Sequence, residues 1–470
     1  MQENYQNIFD KVSDIITEYL KNSDSDNASV IDYHSPKDLK KMLDIDIGDE
    51  GISYENLFLH LENYLKYSVK TRNKQFFNQL YAGTNLAGFL GEIFSAISNT
   101  SMYTYEVAPV ATLIEKELIR KMCGIAGFKN GSGIFVTGGS NANLIAVFSA
   151  RNKIFPEGKT QGMRNAPKLT AFVSDQAHYS FGTAANLLGI GSGALIKVKS
   201  DKTGKMIPEE LAKQIVISEG KGEKPFFIGA TAATTLLGAF DPIDEISEIA
   251  GKYNCWLHVD GSFGGSVILS KKYKRFFKGI EKADSFTWNP HKLMNVPLVT
   301  SVILINEKNI LRENLTKLST DYIFHENEDE NCDLGEISIQ CGRKVDALKL
   351  WSAWKFYGNK GYEKRIENLF DIAAYFEQKV NEYPELELTA ERQSLTVCFR
   401  YNPGNVSDLN NLNLKIRENL RKSGKSLVNY GYIGNDVTIR FVVSNAEVRK
   451  SDIDIFFEHY FEIVNQIKSE

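Results

Sequence analysis

The sequence predicts an α/β fold built on a mainly parallel β-sheet, with a helical N-terminal segment and a small C-terminal α+β domain. Three observations lead there. From about residue 95 to residue 357, short β-branched and apolar runs alternate with segments of helical period, the order that builds parallel sheets covered on both faces. Glycine outnumbers proline 35 to 11 in 470 residues, which suits tight turns between strand and helix better than a string of linkers. The stretches before and after this region lack the strand–helix rhythm.

Taken in order, residues 1–94 read as mostly helical. Ile8, Val12, Ile15, Ile16 and Tyr19 recur at helical spacing, as do Leu57, Leu61 and Leu65. Between them, "KNSDSDNAS" is a polar break. In 95–357, "GIFVT" feeds the helix "NLIAVFSARNKIF", and "LTAFVS" feeds another. "ALIKVK" precedes "IPEELAKQIVIS", and "PFFIGAT" precedes "PIDEISEIAGKYN". "CWLHVD", "SFTW" and "TSVILIN" complete the strands. Residues 358–470 supply a helix, the strand "SLTVCFRY", the helix "NLNLKIRENLRKSG", the strand "VTIRFVVS" and a last helix. Ahead of this region, the acidic run "HENEDENCDLGE" reads as an exposed, mobile loop.

Bulk properties exclude several classes. A formal charge of -4 gives no bulk attraction to nucleic acid or anionic lipid, and the cluster "KKYKRFFK" reads as a solvated face. Cys123, Cys255, Cys332, Cys341 and Cys398 are odd in number and lack paired spacing. They point to a reducing, cytoplasmic setting with most thiols in the core. The opening residues lack a basic stretch followed by an apolar run, and no apolar run of about 18 residues occurs, so neither a signal peptide nor a membrane span is expected.

The chemistry starts from "SFTWNPHKLMN". Lys292 follows a strand and a chain-breaking Asn289-Pro290, then the chain turns apolar at Leu293, Met294 and Val296. An ammonium is costly to desolvate unless it is paired, neutral or covalently modified. Other features cluster at the predicted C-terminal strand ends, where open α/β sheets place ligands. Asp260 ends "WLHVD" and is followed by Gly261, Gly264 and Gly265; it would either meet a cation or cap the next helix. Gly138, Gly139, Ser140 and Asn143 open a helix, a position that serves phosphate binding or plain turn chemistry. His178 precedes another helix, where an imidazole is structural or stacks on a ring. Thr231, Thr234 and Thr235 offer hydroxyls after a strand, to a ligand or to the turn. Together these supply a phosphate cradle, a stacking ring, an anion for a ring nitrogen and a lysine. That is the binding kit of pyridoxal 5'-phosphate (PLP), whose aldehyde forms a Schiff base with lysine.

At this point the chain resembles the group II PLP-dependent amino acid decarboxylases, in the glutamate, cysteine sulfinate and aspartate decarboxylase branch. The likeness spans about residues 30–465 through "QFFNQLYAG", "NTSMYTYEVAPV", "SDQAHYS", "GAFDPI", "WLHVD", "TWNPHKLM", "IQCGRKVD" and "IRFVVSN". "NPHK", with Lys292 placed 32 residues after Asp260, is the specific signature. The resemblance implies the fold-type-I architecture of PLP-dependent transferases and a homodimer with its active site at the interface. It implies Lys292 as the Schiff-base lysine, Asp260 at the pyridinium nitrogen and His178 on the ring face. Gly139, Ser140, Asn289 and His291 would hold the phosphate, with Asn143 beside them, and Thr235 would sit beside the cofactor. Arg440 would meet a substrate carboxylate, and Gln79, Ser101 and Tyr103 would line the substrate pocket. Ser101 and Tyr103 favour a short acidic amino acid, which would lose its α-carboxylate as CO2. Tyr322 and Cys332 would act across the dimer interface, and Cys332 stands where many members carry the tyrosine that returns the proton. Two departures concern packing: Gly261, Ser262 and Phe263 replace Ala-Ala-aromatic, which would loosen one ring face, and Ala233 replaces a glycine. The same lysine and aspartate would also serve an aminotransferase, a lyase, an aldehyde-forming enzyme or an aromatic amino acid decarboxylase. Their joint presence argues against a non-catalytic binding relative.

Overall fold

A computed structural model of the chain describes residues 5–25, 28–315, 323–324 and 332–469. It forms two compact units. The larger comprises residues 84–371 and 390–396; the smaller comprises residues 1–83, 372–389 and 397–470.

The larger unit carries a seven-stranded sheet. In spatial order its strands are Ser132–Val136, Ser301–Ile305, Ser285–Trp288, Trp256–Gly261, Lys224–Thr231, Leu169–Ser174 and Leu195–Val198. Ser301–Ile305 runs antiparallel to both of its neighbours, and the remaining pairs are parallel. Most of these strands are buried along their length, which explains why they read as continuous apolar runs and not as alternating ones. The helix Gly139–Ile154 buries Ala142, Ala146 and Ala150, spaced four apart, against a core that includes Val173, Phe227 and Ile303. Small side chains on that stripe let helix and sheet approach closely. The neighbouring Asn143 is carried into the interior with them. Each large apolar side chain buried in this core contributes about 1.5–3 kcal/mol.

The smaller unit holds a five-stranded sheet in the order Phe76–Phe77, Leu427–Ile433, Asp436–Val442, Thr396–Tyr401, Leu386–Leu388. Phe76–Phe77 pairs in parallel with Leu427 and Val428. The helical N-terminal segment therefore also contributes a strand, hidden in "QFFNQLYAG". The strand Leu427–Ile433 escapes the sequence reading as well. It forms a hairpin with Asp436–Val442 across Gly434 (φ +60) and Asn435, a two-residue connection that positive φ permits. Cys123, Cys255 and Cys398 are buried, Cys332 is half-buried and Cys341 is exposed, and all five are free thiols. Among the described residues no helix is long and apolar enough to cross a membrane. Residues 325–331 of the acidic run, and Tyr322, lie outside the described residues.

Candidate active site

Lys292 sits in the turn that follows Ser285–Trp288 and is half-buried between fully buried Leu293 and His291. Its N–H donates to Asn289 O (3.0 Å), and its carbonyl accepts from Asn295 N–H (3.2 Å). Asn295 adopts a left-handed φ of +51. Asn85 holds this turn from outside: its Nδ2 donates to Met294 O (3.0 Å) and Asn295 O (2.9 Å), and its N–H donates to Asn295 O (2.7 Å). Asn85 also caps the helix Leu86–Ser98 through Oδ1. No sequence motif announced that double role. On the other flank, His291 Nδ1 lies 2.7 Å from Thr300 O. Burial, with the charge of Lys292 nearby, pushes the His291 imidazole down to about 4, so it is neutral at physiological pH.

Asp260 ends the strand Trp256–Gly261 and is buried. Burial alone would raise its carboxyl. Hydrogen bonds from Ser262 and Asn143, and the attraction of His258, outweigh that and hold it below the ordinary carboxylate range. Ser262 N–H donates to Oδ1 at 2.9 Å and Asn143 Nδ2 to Oδ2 at 2.8 Å. The carboxylate is thus kept anionic in the interior. His178 stands before the helix Ser180–Leu187. Burial lowers its pKa; Asp260 acts to raise it and Lys292 to lower it. Hydrogen bonds between Ser180 Oγ and His178 Nδ1, and from Asn143 Nδ2 to Ser180 Oγ and Asp260 Oδ2, link the ring to Asp260.

Gly139 begins the helix Gly139–Ile154, and exposed Ser140 follows it. Their N–H groups have no acceptor within the helix. A Cβ on Gly139 would strike Ser262 Oγ and come within 2.8 Å of Asn289 Nδ2, so glycine is required for helix start, Ser262 and Asn289 to crowd together. Asn289 Oδ1 is buried without a hydrogen-bond partner. The donors gathered at the helix start, its free N–H groups with Ser262 Oγ and Asn289 Nδ2, form a polar cradle of the kind that accepts a phosphate. Asn143 lies deeper, on Asp260. Thr235 is exposed in the loop after Lys224–Thr231, close in sequence to Ala233, whose φ of +72 explains why a glycine would be at home there. At Gly261 the structure overturns the expected loose packing. The place of the missing methyl is taken by the Phe286 ring, and Thr287 O lies 2.8 Å from it.

The residues expected to meet substrate divide between the two units. In the larger unit, Ser101 Oγ accepts from Arg343 N–H (3.3 Å) and Tyr103 O accepts from Gly335 N–H (2.8 Å). Cys332 Sγ lies 3.3 Å from Lys116 Nζ, and Asp333 accepts from Tyr105 N–H (2.7 Å). The last residues of the acidic run, Asp333 and Gly335, are therefore seated on the Ser101–Tyr105 segment. In the smaller unit, Gln79 and Arg440 meet at Asn78: Gln79 Nε2 donates to its Oδ1, and Arg440 Nη2 donates to its carbonyl at 2.7 Å. Asn78 and Arg343 were not singled out from sequence.

Comparison with known proteins decides what this geometry serves. The sequence model described as "Pyridoxal-dependent decarboxylase conserved domain" matches residues 36–402. The chain belongs to the pyridoxal-dependent decarboxylase family. It is 36% identical over 455 residues to human (Homo sapiens) cysteine sulfinic acid decarboxylase, covering 94% of this chain and 92% of that one. It superposes on mouse CSAD in apo form with a TM-score of 0.94 at 34% identity, over 98% of each chain. Oryza sativa TDC with PLP and tryptamine superposes with a TM-score of 0.92 over 99% of each chain; at 22% identity that likeness speaks for the fold alone. The architecture is that of fold-type-I PLP enzymes. This decarboxylase uses PLP and releases CO2 from an amino acid. The group fits the residues present: the donors at the glycine-dependent cradle, the N–H groups of the helix start with Ser262 Oγ and Asn289 Nδ2 beside them, suit a phosphate, and the buried anion of Asp260 suits a cationic ring nitrogen.

Proposed function

We propose that this enzyme α-decarboxylates a short acidic L-amino acid, cysteine sulfinate or aspartate before glutamate, to the corresponding amine. The observation that carries the substrate class is the 36% identity, along 94% of the chain, to a cysteine sulfinic acid decarboxylase. Bound PLP supplies a cationic conjugated ring that takes up the electron pair left behind by CO2. Lys292 would hold the cofactor aldehyde through its ε-amine. Asp260 would keep the ring nitrogen protonated, which its depressed pKa supports. Neutral His178 would lie on the ring face, with Thr235 beside it. Gly139, Ser140, Asn289 and His291 would bind the phosphate. Arg440 and Gln79 would meet the substrate acid, with Ser101 and Tyr103 lining its side-chain pocket. Cys332 Sγ, 3.3 Å from Lys116 Nζ, and Tyr322 would serve the return of a proton to the product carbon.

We also propose a cytoplasmic homodimer. Leu86, Leu90, Phe94 and Ile97 share one face of the helix Leu86–Ser98 and are about half exposed or more, an apolar stripe suited to a second copy of the chain. The five free thiols are consistent with a reducing compartment.

The test is product analysis. The purified enzyme is incubated with cysteine sulfinate, aspartate, cysteate, glutamate, tyrosine and tryptophan, and CO2 and products are quantified. Turnover of the short acids with one amine per CO2 is expected. Turnover of tyrosine or tryptophan with no acid turned over would overturn the substrate class. Aldehyde with ammonia, or a keto acid, would overturn the reaction outcome. Lys292→Ala is expected to lose the visible absorption of the bound cofactor; retention of that band would overturn the lysine assignment.

A further inference from the structure

The Asn143 carboxamide is buried, at 1% exposure, and four side chains surround it. Nδ2 donates to Asp260 Oδ2 (2.8 Å) and to Ser180 Oγ (3.0 Å). Oδ1 accepts from Thr287 Oγ1 (3.1 Å) and lies 3.0 Å from His258 Nε2. A carboxamide oxygen only accepts, so His258 Nε2 carries the ring proton and Nδ1 is an acceptor. Ser285 Oγ, 2.8 Å from that Nδ1, donates to it and accepts from Trp256 Nε1 at 2.7 Å. The indole can only donate, so the chain has one consistent direction. The reverse amide orientation would set Oδ1 against a carboxylate, acceptor to acceptor.

The other branch runs toward His178. Ser180 Oγ accepts from Asn143, so its own proton goes to His178 Nδ1 at 2.9 Å. The Ser180 N–H also points to that nitrogen, at 3.3 Å. In neutral His178 the proton therefore resides on Nε2. One side chain thus touches Asp260 directly and sets His178 through a single hydroxyl.

We propose that Asn143 is a positioning residue whose one carboxamide fixes both the anionic, oriented state of Asp260 and the Nε2–H tautomer of His178. The two side chains assigned to the ring nitrogen and the ring face are then set together and not separately. This inference rests on those two assignments.

The experiment compares PLP binding to cofactor-stripped wild type, Asn143→Leu, Asn143→Asp, Asp260→Asn and Ser180→Ala. Dissociation constants are measured from pH 6 to 8.5 and expressed relative to wild type at each pH. Thermal unfolding of the stripped proteins checks folding. Asn143→Leu removes a charge-assisted hydrogen bond and is expected to weaken binding about ten- to a hundredfold across the range. Asn143→Asp sets a second carboxylate beside Asp260. Its titratable neighbours are Asp260 and His258 from the strand, and His178 through Ser180, with the charge of Lys292 beyond. Binding should be weakest at pH 8.5 and recover at pH 6, as one proton enters the cluster.

A filler role would make the Asn143→Asp loss independent of pH, and that result overturns the proposal. Binding within about threefold of wild type in both Asn143 variants also overturns it. If Asp260→Asn itself leaves binding unchanged, the ring-nitrogen assignment fails; if Asp260→Asn weakens binding while the Asn143 variants do not, only the present inference fails. Ser180→Ala supplies an independent arm through 15N spectra of histidine-labelled protein. The His178 signature should move away from a pure Nε2–H form, and an unchanged signature overturns the shared control even where Asn143→Asp does not fold.

Discussion

Replacing Arg343 by methionine should destabilise the enzyme by about 3–5 kcal/mol and, separately, blur its choice of substrate. Arg343 and Glu115 form an ion pair in the interior in which one nitrogen meets both oxygens: Nη1 lies 2.8 and 2.7 Å from the two carboxylate oxygens, with side chains 4% and 1% exposed. Deleting one partner strands the other charge, which is why the cost exceeds that of a surface pair. Arg343→Met/Glu115→Met leaves no charge behind. It still removes partners from Phe135 N–H, which donates to Glu115 at 3.2 Å, and from Met102 O, which accepts from Nη2 at 3.3 Å. Each costs about 1–3 kcal/mol if left unmet, against a gain from apolar packing. The double variant should therefore recover at least about 2 kcal/mol relative to either single one. Urea unfolding of the cofactor-free proteins, followed by circular dichroism, measures this cycle. The Arg343 side chain also ties down the segment assigned to substrate, because its Nη2 donates to Met102 O; the bonds to Ser101 Oγ and from Met102 N–H are made by the backbone of residue 343 and stay in the variant. In whatever fraction stays folded, KM for the preferred acid should rise more than kcat falls. A single variant within about 1 kcal/mol of wild type, or a double variant no better than the singles, would refute the reasoning.

Gly261→Ala should destabilise by about 1–3 kcal/mol, because Phe286 and Thr287 O occupy the space for its methyl. Adding Phe286→Leu should recover part of that loss, and thermal unfolding of the pair decides. His258→Gln should change how stability responds to acid. Burial lowers the His258 pKa to about 4 from an ordinary value of 6.5, so between those values the unfolded chain binds a proton that the folded chain does not. Wild type then loses stability relative to the glutamine variant as pH falls from 6.5 to 4, by about 1.4 kcal/mol per pH unit at most. Parallel stability–pH curves for the two proteins would show that His258 is not held neutral in the fold.

What could be read from the sequence was local. Ser285–Trp288 and its lysine were visible because a β-branched and aromatic run, a proline break and a lysine set before apolar residues stand within a dozen residues. The large sheet was visible because buried parallel strands leave unbroken apolar runs. Phe76–Phe77 was not, because a two-residue strand carries no period and gains its meaning only from a partner some 350 residues later. Leu427–Ile433 alternates buried and exposed residues poorly and hides its start in "SLVNYGY". Glu115 sits among other charges on an amphipathic helix, and nothing in "LIEKELIRK" shows that it and not Glu117 turns inward.

Asn143 is the sharpest case. Its place after two glycines suggested phosphate, and its type fits that use. The alanines at 142, 146 and 150 decide otherwise, by drawing that side of the helix onto the sheet, where Asp260, His258 and Thr287 arrive from strands 115 to 144 residues away. Sequence reading found the groups assigned to the cofactor because cofactor chemistry restricts residue type at those positions. The groups that orient them are restricted by geometry instead, since any donor of the right reach could hold a carboxylate. A buried carboxamide with both ends fully used has no freedom to serve a second purpose. The helix whose start is proposed to hold the phosphate also carries Asn143, which bonds Asp260, so a shift of that one helix would disturb both proposed contacts at once.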